Sequence, residues 1–354
     1  MDKVNTKFWK NKKVLVTGHT GFKGGWLSMW LNHMGAQVVG YALTPPTKPS
    51  IFELTHLAKD MNSIIGDVRD SNHVSRVFKK EKPEIVIHLA GQPIVRLSYD
   101  DPLLTYTTNV IGTATVLDAA RNTNSVRSVV SITSDKCYEN KSWVWGYRET
   151  DNLGGNDPYS ASKACAELVI TSYRNSFLNK NSNVYLASAR AGNVIGGGDW
   201  AKDRLIPDMI RSFTKKESVF IRNPNSTRPW QHVLEPLRGY LYLAEKLYTK
   251  GEDYAQAWNF GPNTEQVKPV SYIADFMVNL WGDGASWKTD DGKHPHEDKL
   301  LSLDNTKAKR SLGWYPKLSL DETLNWIVEW YKEFQVKGDV RQKTIDQIEK
   351  YQHL

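Results

Sequence analysis

Three clusters in this chain have the residue types and spacing to do chemistry. Tyr159-Ser160-Ala161-Ser162-Lys163 places a phenol and an ammonium four residues apart, just after Pro158. Proline suits the first turn of a helix, and side chains four apart share a helical face, so both groups are expected to point into one cleft. A nearby ammonium favours the phenolate, so Tyr159 is expected to titrate closer to neutrality and to take a proton from a sugar hydroxyl whose carbon gives up hydride. Thr133-Ser134-Asp135-Lys136-Cys137-Tyr138 puts a hydroxyl, a carboxyl and an amine side by side after the apolar run Val129-Val130-Ser131-Ile132. That position, the carboxyl end of a strand, is where ligands bind in open α/β sheets. Cys137 reads as packing rather than as a nucleophile. Gly18-His19-Thr20-Gly21-Phe22-Lys23-Gly24 spaces three glycines by three between a strand and a helix. Such a turn lets the backbone approach a pyrophosphate at a helix N-terminus.

These groups need a scaffold. Val14 to Thr17, Gln37 to Tyr41, Ile85 to Ala90, Val126 to Ser131 and Val184 to Ala191 read as buried strands. Helical patterns lie between them, including Trp26 to Met34, Gly112 to Arg121 and Ser160 to Phe177. Strands alternating with helices predict an α/β fold: a Rossmann-type doubly wound parallel sheet with right-handed crossovers. Alternation fades after Gly196-Gly197-Gly198, which predicts a smaller, mixed α/β substrate-binding domain built from non-contiguous segments. The expected division is residues 1–190 mainly for the dinucleotide and 191–335 mainly for the second ligand, with a return to the sheet near 233–262. Residues 336–354 read as a charged, loosely held tail.

Composition sets the outer limits. The 354 residues are 40% hydrophobic and 24% charged, which excludes a wholly disordered or fibrous chain. A formal charge of +7 suits anionic ligands, but the excess is scattered, and no basic face with interleaved aromatics points to nucleic acid. Two cysteines, Cys137 and Cys165, fit a reduced, cytoplasmic setting. No apolar run reaches membrane-spanning length. His294 and His296 lack a third ligand at metal spacing, so no metal site is expected.

The strand after the glycine turn should end on an acid that reads the adenosine ribose, yet Ala42 stands there. Asp67, after the next short strand, is open to two readings: contact with the adenine amino group, or capping of its own turn.

Several longer runs carry a resemblance. They are Val16 to Gly24, His88-Leu89-Ala90-Gly91-Gln92-Pro93, Thr133 to Tyr138, Trp143 to Glu149, Arg190 to Trp200, and Arg228-Pro229-Trp230-Gln231-His232-Val233. Together they span nearly the whole chain, which resembles the extended short-chain dehydrogenase/reductases and, among them, the nucleotide-sugar 4,6-dehydratases. Other dehydratases of this type carry Asp-Glu where this chain has Asp135-Lys136, and the cytidine-type members are expected to carry the Lys. The resemblance therefore implies CDP-glucose as substrate, a CDP-4-keto-6-deoxy sugar as product, and NAD as cofactor. An epimerase or decarboxylase of the same family is the alternative.

What the resemblance implies can be placed on this sequence. The catalytic set is Ser134, Asp135, Lys136, Tyr159 and Lys163. Tyr159 takes the 4-hydroxyl proton, Ser134 hydrogen-bonds that oxygen, and Lys163 holds Tyr159 and the nicotinamide ribose. Asp135 protonates the leaving 6-hydroxyl, and Lys136 is the candidate base at C5. NAD is expected against Gly18, Gly21, Phe22, Gly24, Asp67, Val68, Leu89, Ala90, Gln92, Asn109, Tyr159 and Lys163. The nucleotide sugar is expected against Ser134, Asn193, Arg204, Leu205, Arg228, Trp230 and His296, with Arg204 and Arg228 as diphosphate clamps. Trp145, Trp200 and Trp230 are open to two readings, base stacking or core. A homodimer or homotetramer is expected, built on the helices near Gly112 to Arg121 and Ser160 to Phe177.

Overall fold

The computed structural model describes residues 4–178, 181–290, 292 and 300–354. Seven strands form the central sheet: β1 (Lys13–Thr17), β2 (Gln37–Ala42), β3 (Asn62–Ile65), β4 (Ile85–His88), β5 (Ser128–Ile132), β6 (Tyr185–Ala191) and β7 (Ala257–Phe260). Their order is β7-β6-β5-β4-β1-β2-β3, and every neighbouring pair is parallel. This is the doubly wound α/β sheet that the alternation predicts. The order reverses between β1 and β4, so a crevice opens at their carboxyl ends.

The central strands are largely apolar because both faces are covered. Successive residues of β1 enter opposite layers, Val14 and Val16 packing on one side and Leu15 on the other. One layer holds α1 (Phe22–His33), which buries Trp26 and Trp30. The other holds α2 (Ser71–Glu81) and α3 (Gly112–Arg121), with α4 (Pro158–Ser176) packed against α3. Asp157 caps α4 by accepting from the Ser160 backbone N–H, and Pro158 occupies its first turn.

Beyond β6 the chain builds a second, smaller layer system over the carboxyl edge of the sheet. It contains α5 (Leu205–Thr214) and three short strand pairs. Val194–Ile195 runs parallel to Gln231–His232, Ser218–Ile221 parallel to Ser286–Thr289, and Thr227–Arg228 antiparallel to Lys268–Pro269. Between these pieces α6 (Leu234–Lys250) and β7 return to the large sheet. After α7 (Val270–Trp281) and a short helix at Thr306–Leu312 come α8 (Leu320–Gln335), with a Ser319/Glu322 capping box, and α9 (Val340–His353).

Helix α9 corrects the reading of residues 336–354 as a loose tail. Val340, Thr344, Ile348 and Tyr351 recur at spacings of three and four and are buried. Tyr351 donates to Glu235 on α6 at 2.6 Å, and Trp330 donates to Thr344 at 2.9 Å. Charged residues on the opposite face hid this apolar stripe.

Candidate active site

The cleft between the two layer systems has a volume of about 460 Å³. Its lining brings together residues that lie far apart in sequence: Phe22, Lys23, Ser134, Asp135, Lys136, Tyr159, Asn193, Arg204, Leu205, Arg228 and Trp230.

At the sheet end, Gly18 adopts φ +78 and accepts the Gly21 N–H at 3.1 Å. A Cβ on Gly18 would lie 2.9 Å from the Ala90 nitrogen, so β1 and the loop after β4 meet across a glycine. Gly21 supplies no side-chain cap to α1, and no acid stands in its first turn. The helix therefore presents unsatisfied N–H groups and its positive end to the cleft, which fits a dinucleotide pyrophosphate. His19 is buried and pushed down to about 4, with Nε2 2.7 Å from the Ser63 hydroxyl, so it is neutral.

Asp67 serves its own turn. Its carboxylate accepts from the Arg69 backbone N–H at 2.9 Å and pairs with the Arg69 guanidinium. The turn-capping reading is the one this geometry carries. Buried Val68 packs beside it, against Gly112 of α3. Asn109 is likewise engaged internally. It accepts from the Gln92 N–H at 2.8 Å and donates to Ser162 at 2.9 Å, tying the Leu89–Gln92 loop to α4. The Gln92 side chain donates to Thr105 at 2.8 Å.

Tyr159 and Lys163 lie on one face of α4, the ammonium 6.0 Å from the ring centroid. A Cβ on Gly91 would sit 3.3 Å from Lys163 Nζ, so that ammonium lies against the loop after β4. Burial pushes Lys163 down to about 8, while Cys137 and Glu167 pull it back up. Tyr159 departs from the sequence reading. Burial pushes its phenol up to about 12, outweighing the Ser134 hydrogen bond and the Arg204 charge that pull it down. Desolvation of the phenolate wins over any nearby cation in this pocket.

Asp135 is 4% exposed, accepts from the Ser134 hydroxyl at 2.8 Å, and has a second oxygen with no hydrogen-bond partner. Burial raises its pKa against the opposing pull of Lys136, Ser134 and Arg228. A Cβ on Gly192 would fall 2.5 Å from that second oxygen, so the carboxyl is seated against bare backbone. Half-buried Lys136 follows on the same turn, its N–H donating to Ser134 Oγ at 3.2 Å.

On the far wall Arg204 donates to Asp199 at 2.9 Å, and Leu205 opens α5. Buried Arg228 donates to the Thr227 carbonyl at 2.9 Å, and the Asn193 carbonyl accepts from the Gln231 N–H at 3.1 Å. Trp230 is buried, Trp200 packs on Tyr331 and Phe334, and Trp145 is 66% exposed. Trp200 is thus core. His296 lies outside the described residues.

Sequence reasoning missed Lys23. Its ammonium faces the same cleft, where burial and the Lys163 and Arg204 charges push it down to about 7 against the pull of Asp135 and Asp199. The signal was a cation inside a glycine turn that needs only backbone.

Comparison with known proteins adds to this geometry. The model of the family described as GDP-mannose 4,6 dehydratase matches residues 15–327. A CDP-glucose 4,6-dehydratase of Salmonella typhimurium is 56% identical over 340 residues, covering 95% of this chain and 94% of that protein. A dTDP-D-glucose 4,6-dehydratase of Mus musculus is 27% identical, covering 91% and 89%. A dTDP-glucose 4,6-dehydratase of Streptomyces venezuelae, solved with NAD bound, superposes with a TM-score of 0.77 at 22% identity, covering 92% and 98%. A UDP-glucose 4-epimerase of Thermotoga maritima superposes at 0.78 and 22%, covering 91% and 99%. The fold alone is shared by dehydratases and epimerases, but the match of sequence runs through the glycine turn, the acid-bearing turn after β5 and the Tyr/Lys helix together: the chain belongs to the GDP-mannose 4,6 dehydratase family.

Proposed function

We propose that this chain is an NAD-dependent CDP-glucose 4,6-dehydratase, a lyase that makes CDP-4-keto-6-deoxy-D-glucose. One observation carries the reading from geometry: a buried carboxyl with a raised pKa, Asp135, shares Ser134 with Tyr159. An epimerase needs no acid for the 6-hydroxyl; a dehydratase does. The 56% identity to the Salmonella enzyme supports the cytidine nucleotide.

NAD, when bound, supplies the hydride acceptor for C4 and the hydride donor for C6, and the Gly18–Gly24 turn, the Leu89–Gln92 loop and Lys163 are the residues that would hold it. Tyr159 takes the 4-hydroxyl proton as phenolate, a form that Lys163 and the cationic nicotinamide of bound NAD would favour against the burial that raises its pKa, and Ser134 bridges that oxygen to Asp135. Lys163 keeps α4 and the loop after β4 in register. Lys136, as the neutral amine, takes the C5 proton, made acidic by the C4 ketone. Asp135 holds its proton because burial raises its pKa, and gives it to the 6-oxygen as the C6–O bond breaks and water leaves. Arg204 and Arg228 line the wall that would hold the diphosphate.

The decisive assay presents CDP-, dTDP-, UDP- and GDP-glucose with NAD. A 4-keto-6-deoxy product is expected from CDP-glucose at least ten times faster than from the others. Comparable rates on all four would remove the cytidine assignment, and C4 inversion without loss of water would make the chain an epimerase.

A homodimer fits the surface. Leu103, Ile111 and Leu168, on consecutive segments beside α3 and on α4, are 75%, 54% and 59% exposed. Large apolar side chains exposed on segments that pack on one another suit a four-helix interface between two copies. Cys137 and Cys165 are both free thiols, which fits a reducing, cytoplasmic setting. Among the described residues no helix is long and apolar enough to cross a membrane.

A further inference from the structure

The one buried carboxylate on the face of α4 that carries Tyr159 and Lys163 takes no part in the steps above. Glu167 follows Lys163 by four residues and Tyr159 by eight, on the same helix face. Its side chain is 0% exposed and pairs with Arg190 of β6, itself 4% exposed, at 2.8 Å. Ser188 also donates to Glu167, at 2.8 Å. Replacing such a pair by apolar residues is often neutral or stabilising, so burial alone does not explain it.

What distinguishes this pair is where its other bonds go. The second Glu167 oxygen accepts from the hydroxyl of Thr133, the residue just before Ser134. Arg190 donates at 2.7 Å to the hydroxyl of Tyr138, two residues after Lys136, and lies over the Tyr138 ring at 4.9 Å. Tyr138 in turn donates at 2.7 Å to Asn259 of β7. The turn bearing Ser134, Asp135 and Lys136 is therefore gripped at both ends by one ion pair, and the anionic half of that pair sits on the helix bearing Tyr159 and Lys163.

We propose that the Glu167–Arg190 pair is a positioning device. Through Thr133 and Tyr138 it fixes the acid-bearing turn against the Tyr/Lys helix, so that the groups for proton removal at the 4-hydroxyl and proton delivery to the 6-hydroxyl keep one spacing. This rests on the dehydratase reading.

Neutralising Glu167 would strand a buried guanidinium and unfold the chain for reasons unrelated to positioning. Thr133→Val and Tyr138→Phe cut one arm each and leave the ion pair in place. For each, kcat on CDP-glucose is expected to fall at least tenfold with KM changed less than about threefold, the size of effect a small misplacement of reacting groups produces. Thr133→Ser, which keeps the hydroxyl, should recover most of the rate. Amide hydrogen exchange of the 134–138 turn, measured without substrate, should speed up at least tenfold in both variants while β1 and β4 stay protected. Unchanged exchange in that turn overturns the proposal whatever the substrate is. So does a kcat within twofold of wild type, or a thermal midpoint that falls while kcat holds, because that is the mark of a merely structural pair. A wild-type chain that leaves CDP-glucose untouched would sink the dehydratase reading instead, and the exchange experiment still decides the positioning role.

Discussion

Asp135 is placed for chemistry at a cost to stability. Its carboxyl is buried against Gly192 with one oxygen unpartnered, and its pKa is raised. In the window between the ordinary carboxyl pKa and the raised one, the folded chain holds a proton that the unfolded chain has released. The native state binds more protons there, so stability falls as pH rises through that window. Asp135→Asn is expected to abolish the fall, to raise the thermal midpoint at neutral pH, and to cut turnover by about 10² or more. A variant that loses stability at pH 7 would contradict this. Lys136 carries the sharper test. If it is the C5 base, Lys136→Met should still show transient reduced-nicotinamide absorbance while C5 exchange with solvent deuterium falls by at least about 10². Lys136→Glu, which installs the acid of related dehydratases, should restore part of that exchange; normal exchange in the Met variant would assign the proton to another group. At this scale the sequence was legible where side chains act through their type and spacing, as in Ser134 to Lys136 and Tyr159 to Lys163. It was not legible where the effect depends on burial. The Tyr159 phenol is pushed up rather than down because desolvation, which spacing does not encode, outweighs the cations around it.

The elements that hold these residues were easier to read, because strand and helix periodicities are local. Glycine spacing placed the β1–α1 turn, and the structure adds why Gly18 is needed: φ +78, and the backbone of Ala90, which a Cβ would meet at 2.9 Å, closer than contact allows. Gly18→Ala should cost about 1–2 kcal/mol from the left-handed conformation alone, seen as a fall of a few degrees in thermal midpoint. Its larger effect should be on NAD, with affinity down at least tenfold by fluorescence titration, since β1 and the β4 loop would be forced apart. Equal affinity would detach the turn from cofactor binding. Helix α9 was missed because its stripe of Val340, Thr344, Ile348 and Tyr351 includes a threonine and is outnumbered by charged neighbours. Arg190 and Glu167 left a signal that went unused: a charged residue inside a buried strand, and an acid one turn beyond Lys163.

For the whole molecule, the cleft exists only because the chain crosses between its two layer systems several times. The exposed apolar face around Leu103, Ile111 and Leu168 belongs to the sheet side of that arrangement. Leu168→Glu puts a charge in the middle of the face without touching the core. The homodimer reading predicts a shift from dimer to monomer mass by light scattering and, because association would stabilise the fold, a lower thermal midpoint. Unchanged mass would place the subunit contact elsewhere.

The packing of α9 ties the cofactor half of the molecule to a segment distant in sequence. Trp30 of α1 meets the ring of Tyr351 at 5.9 Å, and Tyr351 reaches back to Glu235 on α6. Trp30 also belongs to the apolar cluster that holds Val14 and Val16 of β1, so α9 backs the strand that leads into the glycine turn. Local unfolding confined to α9 would therefore loosen the cofactor cradle as well, although the two lie far apart along the chain.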